Sequence, residues 1–177
     1  MVYDDTIVNT LMHGGIAVIA TDTIYGVVGQ ALIPETVERI YTLKQRTPEK
    51  PCIILIDQPS AMKQFGVSDE YIQKVAEYPW SGPTSFVVPI DRTDLRYLDR
   101  GTMTLAFRIP HRDTLRHLLV KTGPLIAPSA NTEGCPPATT IAEARYYFGD
   151  AVAYCDGGHI EGAPSRLVAI ATNTILR

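Results

Sequence analysis

Five apolar residues stand in an unbroken row at Ile16–Ala20, directly after Gly14-Gly15 and directly before Thr21-Asp22-Thr23. A run this short and continuous is what a strand needs when both of its faces are covered. The chain must therefore supply packing layers on two sides of a sheet. Residues 4–13 read as a short helix, with Asp4 or Asp5 placed to cap it and Ile7, Val8, Leu11 and Met12 on one face. Gly14-Gly15 stops it.

Beyond the run, residues 26–32 read as a second strand, and Pro34 sits where a helix can start. Val37, Ile40, Tyr41 and Lys44 fall at i, i+3, i+4 and i+7, so Lys44 ends the apolar stripe of that helix. It also lies in the last turn, where the macrodipole favours a cation. Pro48 and Pro51 forbid further helix, and Cys52–Ile56 is again an apolar strand. Residues 59–78 read as helix in two pieces, with Ser68 as N-cap of the second, and Trp80–Pro83 as a turn.

Runs 84–90 and 102–109 are β-rich. In the second, Leu105, Phe107 and Ile109 face one way while Thr104, Ala106 and Arg108 face the other. A helix follows at 113–122 with Leu115, Leu118 and Leu119 inward, then a short strand at 124–128 and a loop at 129–134. Thr140 and Glu143 have capping-box spacing for a helix to about Phe148. Strand-like runs close the chain at 151–155, 165–170 and 173–177. There is no internal repeat or linker. The irregular alternation predicts a single domain over residues 1–177, of α/β class, with an open mixed sheet flanked by helices.

A net charge of −3 argues against a basic coat for nucleic acid and leaves room for a local basic pocket. The cysteines, Cys52, Cys135 and Cys155, lack zinc spacing, and an odd count without a secretory leader predicts reduced thiols in a cytoplasm. No apolar run approaches the ~20 residues a membrane span needs.

Four places can carry chemistry. Lys44, Arg46 and Lys50 are either a solvated turn or an anion site. A buried unpaired cation costs several kcal/mol, so a carboxylate or a bound anion is expected to meet Lys44. Thr21–Gly26 is either a capped turn or a hydroxyl-lined pocket for a small polar molecule, with Tyr25 closing one wall. Ser129-Ala130-Asn131 is either a turn or a loop hydrogen-bonding a nucleotide at a strand end. Arg108 is either a bidentate carboxylate or phosphate ligand or half of a structural ion pair. GxxxxGK[ST] and GxGxxG are both absent, which removes P-loop and Rossmann binding. The four histidines are scattered and read as structural or surface residues. No Ser/His/Asp, Cys/His or paired-carboxylate set stands out, which favours a mechanism without a protein nucleophile.

In order along the chain stand Thr21–Gly26, Lys44-x-Arg46-x-x-x-Lys50-Pro51, Gly82-Pro83-Thr84-Ser85, Ala106-Phe107-Arg108-Ile109-Pro110, Ser129–Gly134, Asp156-Gly157-Gly158 and Pro164-Ser165. This series resembles the threonylcarbamoyl-AMP synthase family, in its single-domain form. The resemblance implies a YrdC-like fold, a twisted open mixed sheet with a concave, locally basic active-site face. It implies a nucleotidyltransferase that makes threonylcarbamoyl-AMP and pyrophosphate from L-threonine, bicarbonate and ATP. The product serves modification of adenosine 37 in tRNA.

By the same resemblance, Lys44, Arg46 and Lys50 are catalytic, and Thr23, Tyr25, Lys50 and Arg108 lie by the threonine or carbamate. Lys44, Arg46, Ser85, Ser129, Asn131 and Ser165 meet the nucleotide. Mg²⁺ is held mainly by the ATP phosphates, with no protein metal site. A threonylcarbamoyl transferase complex is the functional partner, tRNA contact is weak or indirect, the setting is cytoplasmic and no membrane is involved. Ala20, Ser85, Pro128, Glu133 and Arg166 depart from the family pattern, where Pro, Thr, Thr or Ser, Ser and Thr are usual. Two alternatives remain: an RNA-binding module using Lys44, Arg46, Lys50 and Arg108, and a paralogue that binds nucleotide without making this product.

Overall fold

The computed structural model describes residues 3–78 and 83–177. Helix α1 (Asp5–Met12) is capped by Asp4, whose side chain accepts the Ile7 amide. Strands β1 (Ala17–Ala20) and β2 (Tyr25–Gln30) form an antiparallel pair in which Ala17 faces Val28 and Ala20 faces Tyr25. Helix α2 (Pro34–Lys44) starts on its proline and ends where Gln45 turns left-handed. Strand β3 (Ile53–Leu55), a 3₁₀ turn (Pro59–Phe65) and helix α3 (Asp69–Glu77) follow. Then come β4 (Thr84–Pro89), a 3₁₀ turn (Thr93–Leu95), α4 (Arg96–Asp99), β5 (Thr104–Arg108) and α5 (Asp113–Thr122). The chain closes with β6 (Leu125–Ile126), α6 (Ile141–Phe148), β7 (Ala153–Cys155), β8 (Arg166–Ala169) and β9 (Thr174–Ile175).

The described strands make one open, twisted mixed sheet in the order β7-β1-β2-β6-β3-β5-β4-β8-β9. Parallel pairs (β1·β7, β3·β5, β4·β8) are interleaved with antiparallel ones. The strong period-2 and period-3.6 segments appear where the sequence places them. The strands are shorter than the apolar runs, because a strand ends where its neighbour's ladder ends. The first half of 59–78 is a 3₁₀ turn, and the Ser68 side chain makes no capping bond. The 3₁₀ turn and α4 at 93–99 have no counterpart in the sequence reading, since segments so short carry no period. The turn expected at Trp80–Pro83 lies, Pro83 apart, outside the described residues.

Ile16–Ala20 is buried on both sides, as an unbroken apolar run requires. Ala17 and Ile19 join Ile7, Leu11, Leu115 and Leu119 in a core under α1 and α5. Val18 and Ala20 point the other way, into a larger core with Val37, Ile40, Phe65, Phe86 and Phe107. Along β5 the alternation holds for Leu105 and Phe107, both in that larger core. This leaves the opposite face of β3, β5, β4 and β8 to do something else.

Gly29 lets α2 lie close on β2. A Cβ there would stand 2.5 Å from Thr36 Cγ2 and 3.0 Å from Ile40 Cδ1. Gly29→Ala is expected to lower unfolding free energy by about 1–3 kcal/mol in a urea titration, through overpacking.

Candidate functional site

The free face of the sheet is the floor of a cavity of about 350 Å³, within the size range of small-ligand sites. Register assembles the floor: Ile53 pairs with Ala106 and Ala106 with Val87, so their side chains form one small apolar row. Thr104, Ala106 and Arg108, the face of β5 opposite its core residues, all line the cavity. Arg108 pairs with Leu55, toward the C-terminal end of β3, whereas Arg46 and Pro51 precede the N-terminal end of that strand. Two guanidinium groups thus stand at opposite ends of β3.

Arg108 is 5% exposed. Its guanidinium donates to Asp22 Oδ1 at 2.5 Å and to Thr23 Oγ1 at 2.9 Å, while its Nε finds no hydrogen-bond partner. Burial pushes its pKa down and the Asp22 carboxylate opposes the shift. Asp22 also accepts the His111 amide, and Thr23 Oγ1 lies 3.0 Å from Thr21 Oγ1. Arg108 is therefore half of a buried ion pair, and it also lines the cavity.

Lys44 is buried, 2% exposed, and does not line the cavity. Of the two partners expected from the sequence, a carboxylate or a bound anion, no carboxylate among the described residues bonds its ammonium. Its ammonium donates to the carbonyls of Ser129 and Asn131, each at 2.5 Å. Two aligned carbonyl dipoles can serve a cation in place of a formal countercharge. Burial first, and the Arg46 charge second, lower the Lys44 pKa to about 8. Arg46 does line the cavity and spans the following turn, donating to the carbonyls of Lys50 at 3.0 Å and Pro51 at 3.1 Å. Lys50 is not in the cavity lining but lies in the turn between Arg46 and Pro51, which are, and it is paired with Glu133, whose carboxylate also accepts the Thr47 amide and hydroxyl. These bonds, Lys50 foremost, hold the Glu133 carboxyl down at about 2.

Of the remaining expected residues, Thr23, Ser129 and Ser165 line the cavity. Ser85, fully buried, holds Ser165 through a 2.7 Å hydroxyl contact. Asn131 is turned into its own loop, donating to the carbonyls of Thr132 and Cys135 and accepting from Ser129 Oγ. Tyr25 does not close a wall with its hydroxyl, which lies 2.7 Å from the Gly158 carbonyl and accepts the Gly157 amide. It ties residues 156–158 to β2 instead.

Sequence reasoning missed Asp22, Arg177 and Gly162. A buried arginine demands an acid, and Asp22 sat inside the hydroxyl cluster, so that signal was present. Arg177 lines the cavity while donating to the Ser165 carbonyl. At Gly162 a Cβ would lie 2.0 Å from the Thr23 carbonyl oxygen, a contact no sequence pattern announces.

Comparison with known proteins bears on this arrangement. Residues 9–177 match the family model Sua5/YciO/YrdC, described as telomere recombination. A threonylcarbamoyl-AMP synthase of Chromohalobacter salexigens is 32% identical over 154 residues, 85% of this chain and 82% of that protein. One from Idiomarina loihiensis is 29% identical over 170 residues, 92% of this chain and 91% of that protein. Among solved structures, Pyrococcus abyssi Sua5 complexed with L-threonine aligns with a TM-score of 0.79 at 27% identity. That match covers 92% of this chain and 49% of the Sua5 chain, so this chain spans about half of it. Escherichia coli YciO, at 19% identity and a TM-score of 0.78 over 97% of this chain and 86% of its own, shares the fold.

Asp22→Asn should leave Arg108 buried without its countercharge and cost about 3–5 kcal/mol in chemical unfolding. For Lys44, the unfolded side chain keeps its proton up to its ordinary value of 10.5, whereas the folded one releases it near 8. The unfolded state thus binds more protons between those limits, and stability from this group must rise with pH there. The unfolding free energy of the native chain, relative to Lys44→Met, is expected to increase across pH 8 to 10 in parallel urea titrations.

Proposed function

The chain belongs to the Sua5/YciO/YrdC family, and we propose on that footing that it is an enzyme making threonylcarbamoyl-AMP and pyrophosphate from L-threonine, bicarbonate and ATP. The observation that carries the reading is the cavity. An apolar floor is bounded by Arg108 with Thr23 toward one end of β3 and by Arg46 toward the other, with the Ser129 and Ser165 hydroxyls in its lining. Such a site suits a substrate with a carboxylate or phosphate at each end and a flat or apolar middle.

In this reading Arg108 and Thr23 receive the threonine or carbamate, Arg46 the phosphates, and Ser129 and Ser165 the nucleotide. The buried Lys44, Ser85, Asn131 and the Tyr25 hydroxyl act by holding these loops in place. The threonine amine and bicarbonate give a carbamate and water. A carbamate oxygen attacks the α-phosphorus and pyrophosphate leaves with its electron pair. Such transfer needs alignment and stabilisation of negative charge rather than a protein nucleophile. The fixed guanidinium groups supply the second without reorganising during the reaction.

Magnesium belongs to the substrate as Mg·ATP. In this proposal the ion is held mainly by phosphates and water. The same proposal includes the use of the product, modification of adenosine 37 of tRNA through a threonylcarbamoyl transferase complex in the cytoplasm. No helix among the described residues is long and apolar enough to cross a membrane.

The test is direct. The protein is incubated with ATP, Mg²⁺, bicarbonate and single amino acids, and the products are weighed by mass spectrometry. The expected outcome is an acyl adenylate of threonylcarbamoyl mass, formed only with threonine and bicarbonate. Pyrophosphate release that ignores threonine would overturn the reading. Arg46→Ala should lower threonine-dependent pyrophosphate release by roughly 10²–10³-fold while leaving the circular dichroism spectrum unchanged.

A further inference from the structure

Thr47-Pro48-Glu49-Lys50 forms a tight turn, closed by the Lys50 amide donating to the Thr47 carbonyl at 3.2 Å. The residues on either side of it, Arg46 and Pro51, both line the cavity. The turn brings three donors together: the amide and hydroxyl of Thr47 and the ammonium of Lys50. An amide, a hydroxyl and an ammonium converging on one point make a receptor for an anion. Here all three donate to the carboxylate of Glu133, which is more than 80 residues away in sequence. The carboxylate is delivered from a fixed backbone, since the Glu133 amide donates to the Lys44 carbonyl at 2.9 Å.

We propose that Glu133 is a specificity-determining residue: a tethered carboxylate that occupies an anion receptor in the turn between Arg46 and Pro51 and competes there with the outer phosphates of the nucleotide. This deepens the nucleotide reading of the cavity and rests on it. The pair lies open to solvent, with the Lys50 side chain 58% and the Glu133 side chain 27% exposed, so an incoming anion can exchange with the carboxylate without opening the core. The exchange has a direction. A lone monophosphate engages Arg46 and gains little by displacing a carboxylate already held by three donors. A polyphosphate on Arg46 places further charged oxygens beside the same turn and repels Glu133 from it. The tethered acid thus penalises the anions that must displace it to engage the turn, and leaves a monophosphate held on Arg46 alone nearly untouched. Removing it should help most those ligands that reach the receptor.

Calorimetric titrations of pyrophosphate, ATP and AMP at constant ionic strength test this on the native chain and on Glu133→Gln, which keeps the shape and loses the charge. Pyrophosphate and ATP are expected to bind the variant roughly tenfold more tightly, as removal of a charged competitor from such donors implies. AMP, which does not reach the turn, should change by less than about twofold. Adding Lys50→Ala to Glu133→Gln should erase the gain. Equal or weaker pyrophosphate binding by both Glu133→Gln and Glu133→Ser overturns the proposal.

A measurement on the native chain guards against variants that fail to fold. With ¹³C-labelled glutamate carboxyls, saturating pyrophosphate should move the Glu133 resonance toward that of a free carboxylate, and a stationary resonance overturns the proposal. Pyrophosphate binding is read independently of catalysis. A chain that makes no threonylcarbamoyl-AMP would defeat the functional reading while leaving the receptor measurable.

Discussion

An ammonium shut away from water must be answered by dipoles, and in this chain the answer organises the site. Lys44 ends α2 and reaches across to the carbonyls of Ser129 and Asn131. The same helix end receives the Glu133 amide on the Lys44 carbonyl. Two bonds from the side chain and one to the backbone join the last turn of a helix to a loop from the other half of the chain. The loop is held from its other side by β2: the Ala130 amide donates to the Tyr25 carbonyl, and the Val27 amide to that of Pro128. Ser129 thereby lines the cavity from a backbone fixed on both flanks. The cost of burying one charge is offset by the definition it gives to several loops at once.

The second charged group works by a different rule. Arg108 has a formal countercharge in Asp22, and the pair binds β5 to the loop that follows β1. A buried ion pair is weak evidence for stability, because desolvation opposes the attraction. Its better-attested use is to fix geometry. Arg108 holds the Thr21–Thr23 hydroxyl cluster against the floor, and Gly162 lets the chain before β8 pass over that cluster at backbone contact distance. The cavity thus has one face of β3, β5, β4 and β8 as its floor, and loops tied by Lys44, Arg108, Ser85 and Tyr25 rise around it.

Periodicity carried the local structure. The apolar run of β1, the α2 stripe, the Asp4 cap, the Thr140–Glu143 box and the two faces of β5 were all legible, because each is decided by residues within one or two turns. The membership of Lys44 in the buried stripe was legible too. What receives it was not, since backbone carbonyls leave no mark on a sequence and these lie 85 and 87 residues away. Glu133 stood out as a departure from a pattern, yet only the folded chain puts it on Thr47 and Lys50. Asp22 was read past because a hydroxyl cluster gave its neighbours an apparent purpose. The order of strands could not be read, because register between distant segments is a property of the assembled core.

That order has a consequence for how the chain is made. Strands β2 and β3 never touch; they are joined through β6, two residues long, which pairs with both. On a ribosome the β1–β2 hairpin can close early, but the seam between the two halves of the sheet stays open until Leu125 and Ile126 have emerged. For that interval each half presents an unpaired edge, the kind of surface that seeks another chain. The piece that closes this seam is also the one that leads directly into Ser129, so the Ser129 wall of the cavity and the sheet seam are completed together.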